Sequence, residues 1–191
     1  MEDNIQNEII ERLAHAVQCI VEVAREMPLI SETLQFVQSA ANIIRESNKR
    51  RTTFESCFGD EDATVKCNIL GLCPTSWCVR ALAVSRIIHA FGPLLQTLQT
   101  LQQDVRGEMK AKISGLLKQA KKGKTMFGLL RSEALFTPCE AVAKMLQAEK
   151  ATAAGALECI QTLRERIQVL RNENENAMEE LLNKTNASAA K

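Results

Sequence analysis

At 191 residues, 46% of them hydrophobic and 25% charged, the chain can bury one sizeable core and amounts to one large domain or two small ones. Its 24 lysines and arginines stand against 23 acids, which leaves no global field for nucleic acid or an anionic membrane, so any such binding would be local. The opening MEDNIQNEIIERL has acids where a secretory signal has a basic start and an apolar core, and no apolar run approaches a membrane span, so a soluble intracellular protein is expected.

Tyrosine is absent, aromatics make up 4%, and glycine and proline are sparse, which gives sandwiches and barrels little to work with. Helix formers fill most of the chain. Ile5, Ile9, Leu13, Ala16, Ile20, Val23 and Met27 step by three or four residues and predict an amphipathic helix stopping near Pro28. Ser31-Glu-Thr-Leu opens a second helix through Leu34, Val37, Ala41 and Ile44, ending before ESNKRR. From Thr52 to Cys73 the periodicity is lost, and CFGDEDATVKCNILGLC reads as a mobile surface loop. Thr75 can cap a third helix through Val79, Leu82, Val84, Ile87, Ile88 and Phe91, with a bend or break at Pro93, after which Leu94, Leu95, Leu98 and Leu101 extend the same rod.

A helix from Asp104 to about Lys121 carries Met109, Ile113, Leu116 and Leu117. KQAKKGK, a solvated turn, separates it from TMFGLLRSEALF, and Thr137-Pro138 restarts the chain because proline is tolerated in a first helical turn. The remainder is one or two long helices broken near Lys150 to Ala154. The expected fold is an all-α array of about seven helices. It divides into an N-terminal helix pair over 1–50, an irregular loop over 51–73, a helical domain over 74–184 and a frayed tail over 185–191, packed as one unit overall.

Seven cysteines are an odd number scattered over more than a hundred residues, which suits reduced, mostly buried thiols better than a disulfide framework. Cys57, Cys67, Cys73 and Cys78 are the one cluster able to close a metal site, but they contain no Cys-x2-Cys unit and no histidine pair follows, so no metal is expected. His15 and His89 lie on strong helical patterns and read as satisfied core or boundary residues, with no cysteine or carboxylate arranged beside them as a nucleophile triad. Ser47 to Arg51 follows a helix C-terminus, where cations oppose the dipole favourably; a phosphate clamp is the alternative role. The glycines are isolated and form no phosphate-cradling loop.

LCPTSWCVR, Leu72 to Arg80, resembles the LCPTRWTVR signature of hAT-superfamily transposases and of the zinc finger MYM-type 1-like proteins derived from them. The spacing on both sides is similar. Upstream, His15 falls in a segment resembling the family's Cys-x-x-His and helix pair, and Ser47, Lys49 and Arg50 match its Ser-x-Lys-Arg turn before a phenylalanine. Downstream, the stretch from Gly107 resembles helices in which a phenylalanine-leucine turn precedes a long closing helix. The likeness runs from about Leu13 to Glu180 and is strongest at Pro74, Thr75, Trp77, Val79 and Arg80.

The resemblance implies the long all-α insertion of an RNase H-like transposase core. By that alignment two of the family's three catalytic acids would precede Met1 and the third would follow Lys191, together with the dimerisation segment, and the zinc-finger module is missing. Chemistry by two divalent ions needs clustered carboxylates on a rigid sheet, so no enzyme, no cofactor and no small-molecule substrate are expected. Arg12 stands where the family has its cysteine, leaving His15 alone, and Ser76 replaces the arginine that could stack on the neighbouring Trp77. Trp77 is then expected to be a packing anchor for a long core helix. The favoured function is a catalytically inactive, transposon-derived helical domain, either a degenerate fragment or an adaptor for protein partners or self-association. The runner-up is a module next to nucleic acid, with Trp77, Arg80, Lys49, Arg50 and Arg51 near a backbone. Nuclear localisation is implied by the resemblance alone.

Overall fold

The computed structural model describes residues 2–58, 69, 71–72, 80–148, 152–172 and 183. Pro74, Thr75, Trp77, the thiols of Cys67, Cys73 and Cys78, and the expected tail over 185–191 lie outside the described residues. Those described form eight α-helices and no strand: α1 (Glu2–Glu26), α2 (Pro28–Arg45), α3 (Asn48–Ser56), α4 (Arg80–His89), α5 (Phe91–Asp104), α6 (Gly107–Ala120), α7 (Gly123–Leu146) and α8 (Ala153–Asn172). The all-α expectation is met, with one helix more than foreseen.

α7 is the central column, touching α1, α2, α4, α6 and α8. One buried apolar cluster runs from Val17 on α1 through Phe36 and Val37 on α2, Leu94 and Leu98 on α5, and Leu129 and Phe136 on α7 to Leu163 on α8. No single helix among the described residues is long and apolar enough to cross a membrane.

Several boundaries differ from the sequence expectation. α2 begins at Pro28 rather than at Ser31: Met27 is extended, with φ −68° and ψ 123°, and its carbonyl accepts the Ser31 N–H at 2.9 Å. Proline at the first helical position gives up a donor that would have no intrahelical acceptor anyway. α3 occupies part of the stretch expected to be loop from residue 51. It has a single buried side chain, Phe54, whose ring meets Phe58 edge-on at 5.0 Å between centroids. A helix anchored by one aromatic presents no repeating apolar stripe, so periodicity cannot find it.

α4 and α5 do not form one rod. They meet at a bend of 73°, and the break falls at Ala90, one turn ahead of Pro93. The position follows from proline chemistry, since a continuous helix would set the Pro93 ring against the His89 carbonyl. Restarting at Phe91 places Pro93 in a first turn, where its missing donor costs nothing. α6 starts at Gly107, not at Asp104, which is the last residue of α5. Gly107 takes φ +63°, a left-handed conformation that glycine adopts without steric penalty.

Pro138, expected to restart the chain, sits inside α7. The helix loses one backbone bond there, yet Ser132, Phe136, Cys139, Val142 and Ala143 remain buried on both sides of it, so packing holds α7 through the proline.

The apolar stripe of α1 is also rotated from the expected one. Val17, Val21 and Ala24 are fully buried and Ile10 packs against the core, whereas Val23 is 65% and Met27 49% exposed, Ala16 faces solvent, and Ile9, Leu13 and Ile20 are half-buried. α1 therefore carries two adjacent apolar lines: the core uses one fully and the second in part, through Leu13 and Ile20. Leu82, expected on the apolar face of its helix, is likewise 43% exposed.

Candidate functional site: a buried arginine-carboxylate junction

Arg80 ends the stretch that resembles the family signature and opens α4. Its side chain is only 6% exposed, and its Nη2 lies 3.9 Å from Oε1 of Glu22 on α1. From α7, the buried carboxylate of Glu140 accepts the Ala81 backbone N–H at 2.6 Å. That N–H belongs to the first turn of α4 and has no intrahelical acceptor, so Glu140 caps α4 from a different helix and sets a negative charge at the positive end of its dipole. Three helices are joined at this point by one cation and two acids.

Burial lowers the Arg80 pKa, as does neighbouring Arg25, while Glu22 and Glu140 oppose the shift. Burial raises the Glu140 pKa, against the Ala81 N–H and the cations Lys144 and Arg80. Nη1 of Arg80 and Oγ of Ser132 are buried without hydrogen-bond partners. A cleft of about 700 Å³ beside Arg80 is lined by Glu22, Arg25, Ser31, Gln38 and Leu72, and Gln38 accepts the Leu72 N–H at 2.8 Å. The junction ties the start of α4 to α1 and to α7.

The other expected residues are placed elsewhere. Ser47 is the residue before α3, extended at φ −144° and ψ 129°, and its hydroxyl makes no capping bond. Lys49, Arg50 and Arg51 lie in the first turn of α3, so relative to that helix they sit at the unfavourable end of the dipole, the reverse of the C-terminal role expected of them. Each is paired instead. Lys49 Nζ lies 3.3 Å from Asp104, Arg50 Nη2 3.6 Å from Glu46, and Arg51 Nε 3.8 Å from Glu55. Arg50 also directs Nη1 at Met109 Sδ, 3.3 Å away, which ties α3 to α6.

Neither histidine is a core residue. His15 is exposed on α1, with Nε2 4.0 Å from the Cys19 thiol one turn on, a cysteine neighbour that the sequence reading missed although i,i+4 spacing predicts it. His89 is exposed, and its Nδ1 lies 2.7 Å from the Ser85 carbonyl; a carbonyl only accepts, so Nδ1 carries the proton. Among the described cysteines Cys139 is buried, Cys57 and Cys159 are half-buried and Cys19 is exposed; the expectation of mostly buried thiols also covers Cys67, Cys73 and Cys78, which lie outside the described residues. Cys139 is pushed up to about 11 by burial and by Glu140. No three histidine, cysteine or acidic side chains among the described residues converge on a point that could hold a metal ion.

Of the expected site residues, Arg80 belongs to the junction, Ser47, Lys49 and Arg50 to the α2–α3 corner, and His15 to the outer surface of α1; among the described residues no hydrogen bond or ion pair links one group to another. Glu22 and Glu140 were not foreseen. Glu140 gave one weak signal, an acid in an otherwise apolar stretch between Cys139 and Ala141. No protein-family model, curated protein or solved structure matches the chain.

Proposed function

We propose that the chain is a catalytically inactive, transposon-derived helical domain that works by binding protein. The sequence likeness to the helical insertion of hAT transposases supports the origin, and the surface of α1 supports the role. Ala16 and Val23 stand in solvent on one side of α1, beside a line that is already buried, and exposed Met27 follows directly after the helix. A helix that exposes a second apolar line beside its core line gains free energy by burying it against another chain. Buried Glu140 and exposed Glu22 are both occupied in joining helices, which supports a structural rather than a chemical use of these charges.

The nucleic-acid reading rests on Lys49, Arg50 and Arg51, each of which has an acid partner. Phosphate binding there would first have to break those pairs. The two readings separate by cross-linking mass spectrometry of the full chain in nuclear extract, set beside mobility shifts on duplex and single-stranded DNA. Cross-links from α1 to protein, and no shift, are expected. A shift with steep salt dependence that disappears in Lys49→Gln/Arg50→Gln/Arg51→Gln would overturn the proposal.

A further inference from the structure

We infer that the outer line of α1 is a self-association seam that pairs antiparallel with the same helix of a second copy. The inference rests on the protein-binding role proposed above and names the partner. Ile9, Leu13, Ala16, Ile20 and Val23 step alternately by four and three residues, the spacing of a coiled-coil seam. At 100° per residue this line lies about 90° around the helix from the buried line of Ile10, Val17, Val21 and Ala24. The chain's own packing leaves it half-open: Leu13 and Ile20 are half-buried against the core, Ile9 is half-buried, and Ala16 and Val23 are exposed.

Charge decides the occupant and its direction. The seam has one flank turned to the chain's own core, carrying Ile10, Val17 and Ala24. Its other flank carries Arg12, Cys19 and Glu26, all exposed. In an antiparallel pair the outer flanks face each other, and Arg12 and Glu26 are equidistant in sequence from Cys19. The two-fold axis that sets Leu13 against Val23 of the second copy, and Ala16 against its Ile20, also sets Arg12 against its Glu26, twice, with the two Cys19 thiols facing across the axis. A parallel pair would set Arg12 against a position occupied by Val17 and gain no ion pair. Arg12 is otherwise held by Glu8 at 2.7 Å, an exposed pair on the same helix that exchanges readily. Glu26 makes no ion pair among the described residues.

The test is a charge exchange read by sedimentation velocity on the full chain over a micromolar concentration series, with circular dichroism confirming the fold. Wild type should dimerise with concentration. Arg12→Glu alone places acid against acid and Glu26→Arg alone places base against base, so each should weaken association roughly tenfold. An equimolar mixture of the two variants restores both ion pairs and should dimerise about as tightly as wild type. Val23→Glu, at a side chain already in water, should abolish association without unfolding the chain. A wild type that stays monomeric, a dimer indifferent to Val23→Glu, or a mixture no tighter than its components overturns the inference. If the chain is monomeric but a different protein cross-links to α1, the inference fails while the protein-binding role stands; with neither, both fail.

Discussion

Glu140 shows how a residue's environment reverses its ordinary contribution. Burial raises its carboxyl above the usual range, so the folded chain holds that proton more tightly than the unfolded one. The stability this carboxyl supplies is complete below the unfolded value of about 4.3 and is lost as pH rises through the raised folded value. Glu140→Gln retains an acceptor for Ala81 and cannot ionise, so its urea midpoint should gain on that of wild type as pH is raised through that window. Equal pH profiles would contradict the assignment. Glu140→Ala strands the Ala81 N–H and should cost about 1–3 kcal/mol at any pH in the range. Cys139, pushed up to about 11, is protonated and inaccessible near neutrality. Native alkylation read by peptide mass spectrometry should therefore modify exposed Cys19 well before Cys139, which should react only on unfolding.

At the scale of the element, two prolines serve opposite ends. Pro93 lies in the first turn of α5, where it satisfies the local backbone at no hydrogen-bonding cost and restricts the unfolded chain. Pro93→Ala should lower stability by about 0.4–1 kcal/mol and leave the α4–α5 bend in place. Pro138 interrupts α7, and Pro138→Ala restores a donor toward the Ala134 carbonyl, so stability should rise, by up to about 3 kcal/mol if the straightened helix still packs. Denaturation midpoints of the two variants should move in opposite directions. A fall for both would mean that the shape of α7 at Pro138 is required to bring Glu140 to the start of α4.

For the molecule as a whole, α2 lies tightly against the central column at Gly128. A methyl group there would land on the Oγ1 of Thr33, which donates to the Leu29 carbonyl at 2.7 Å. Gly128→Ala should force α2 away from α7 and cost about 1–3 kcal/mol. Removing the hydroxyl in Thr33→Ala makes room, so the double variant should be more stable than the sum of the single effects predicts, the mark of two residues in contact. Additive losses would show that the two helices part freely at this point. Because one apolar cluster joins α1 through α8, the loss should shift a single cooperative transition rather than split it.

The sequence by itself determined the all-α class and most of the breaks between helices. Apolar spacing of three and four residues, proline at 28 and 93 and the polar KQAKKGK turn are local signals, and local backbone sterics read them directly. Tertiary structure decided what no local signal encodes. Which of two adjacent apolar lines on α1 faces inward depends on where α7 and α8 lie, and periodicity reports spacing without phase. α3 exists because one phenylalanine found a buried place, and α7 passes through Pro138 because packing on both sides outweighs one missing hydrogen bond. The Glu22–Arg80–Glu140 junction gathers residues separated by most of the chain. A charged side chain in sequence reads as solvated, and only the fold buries Arg80 beside Glu22 and brings Glu140 to the backbone of its neighbour Ala81.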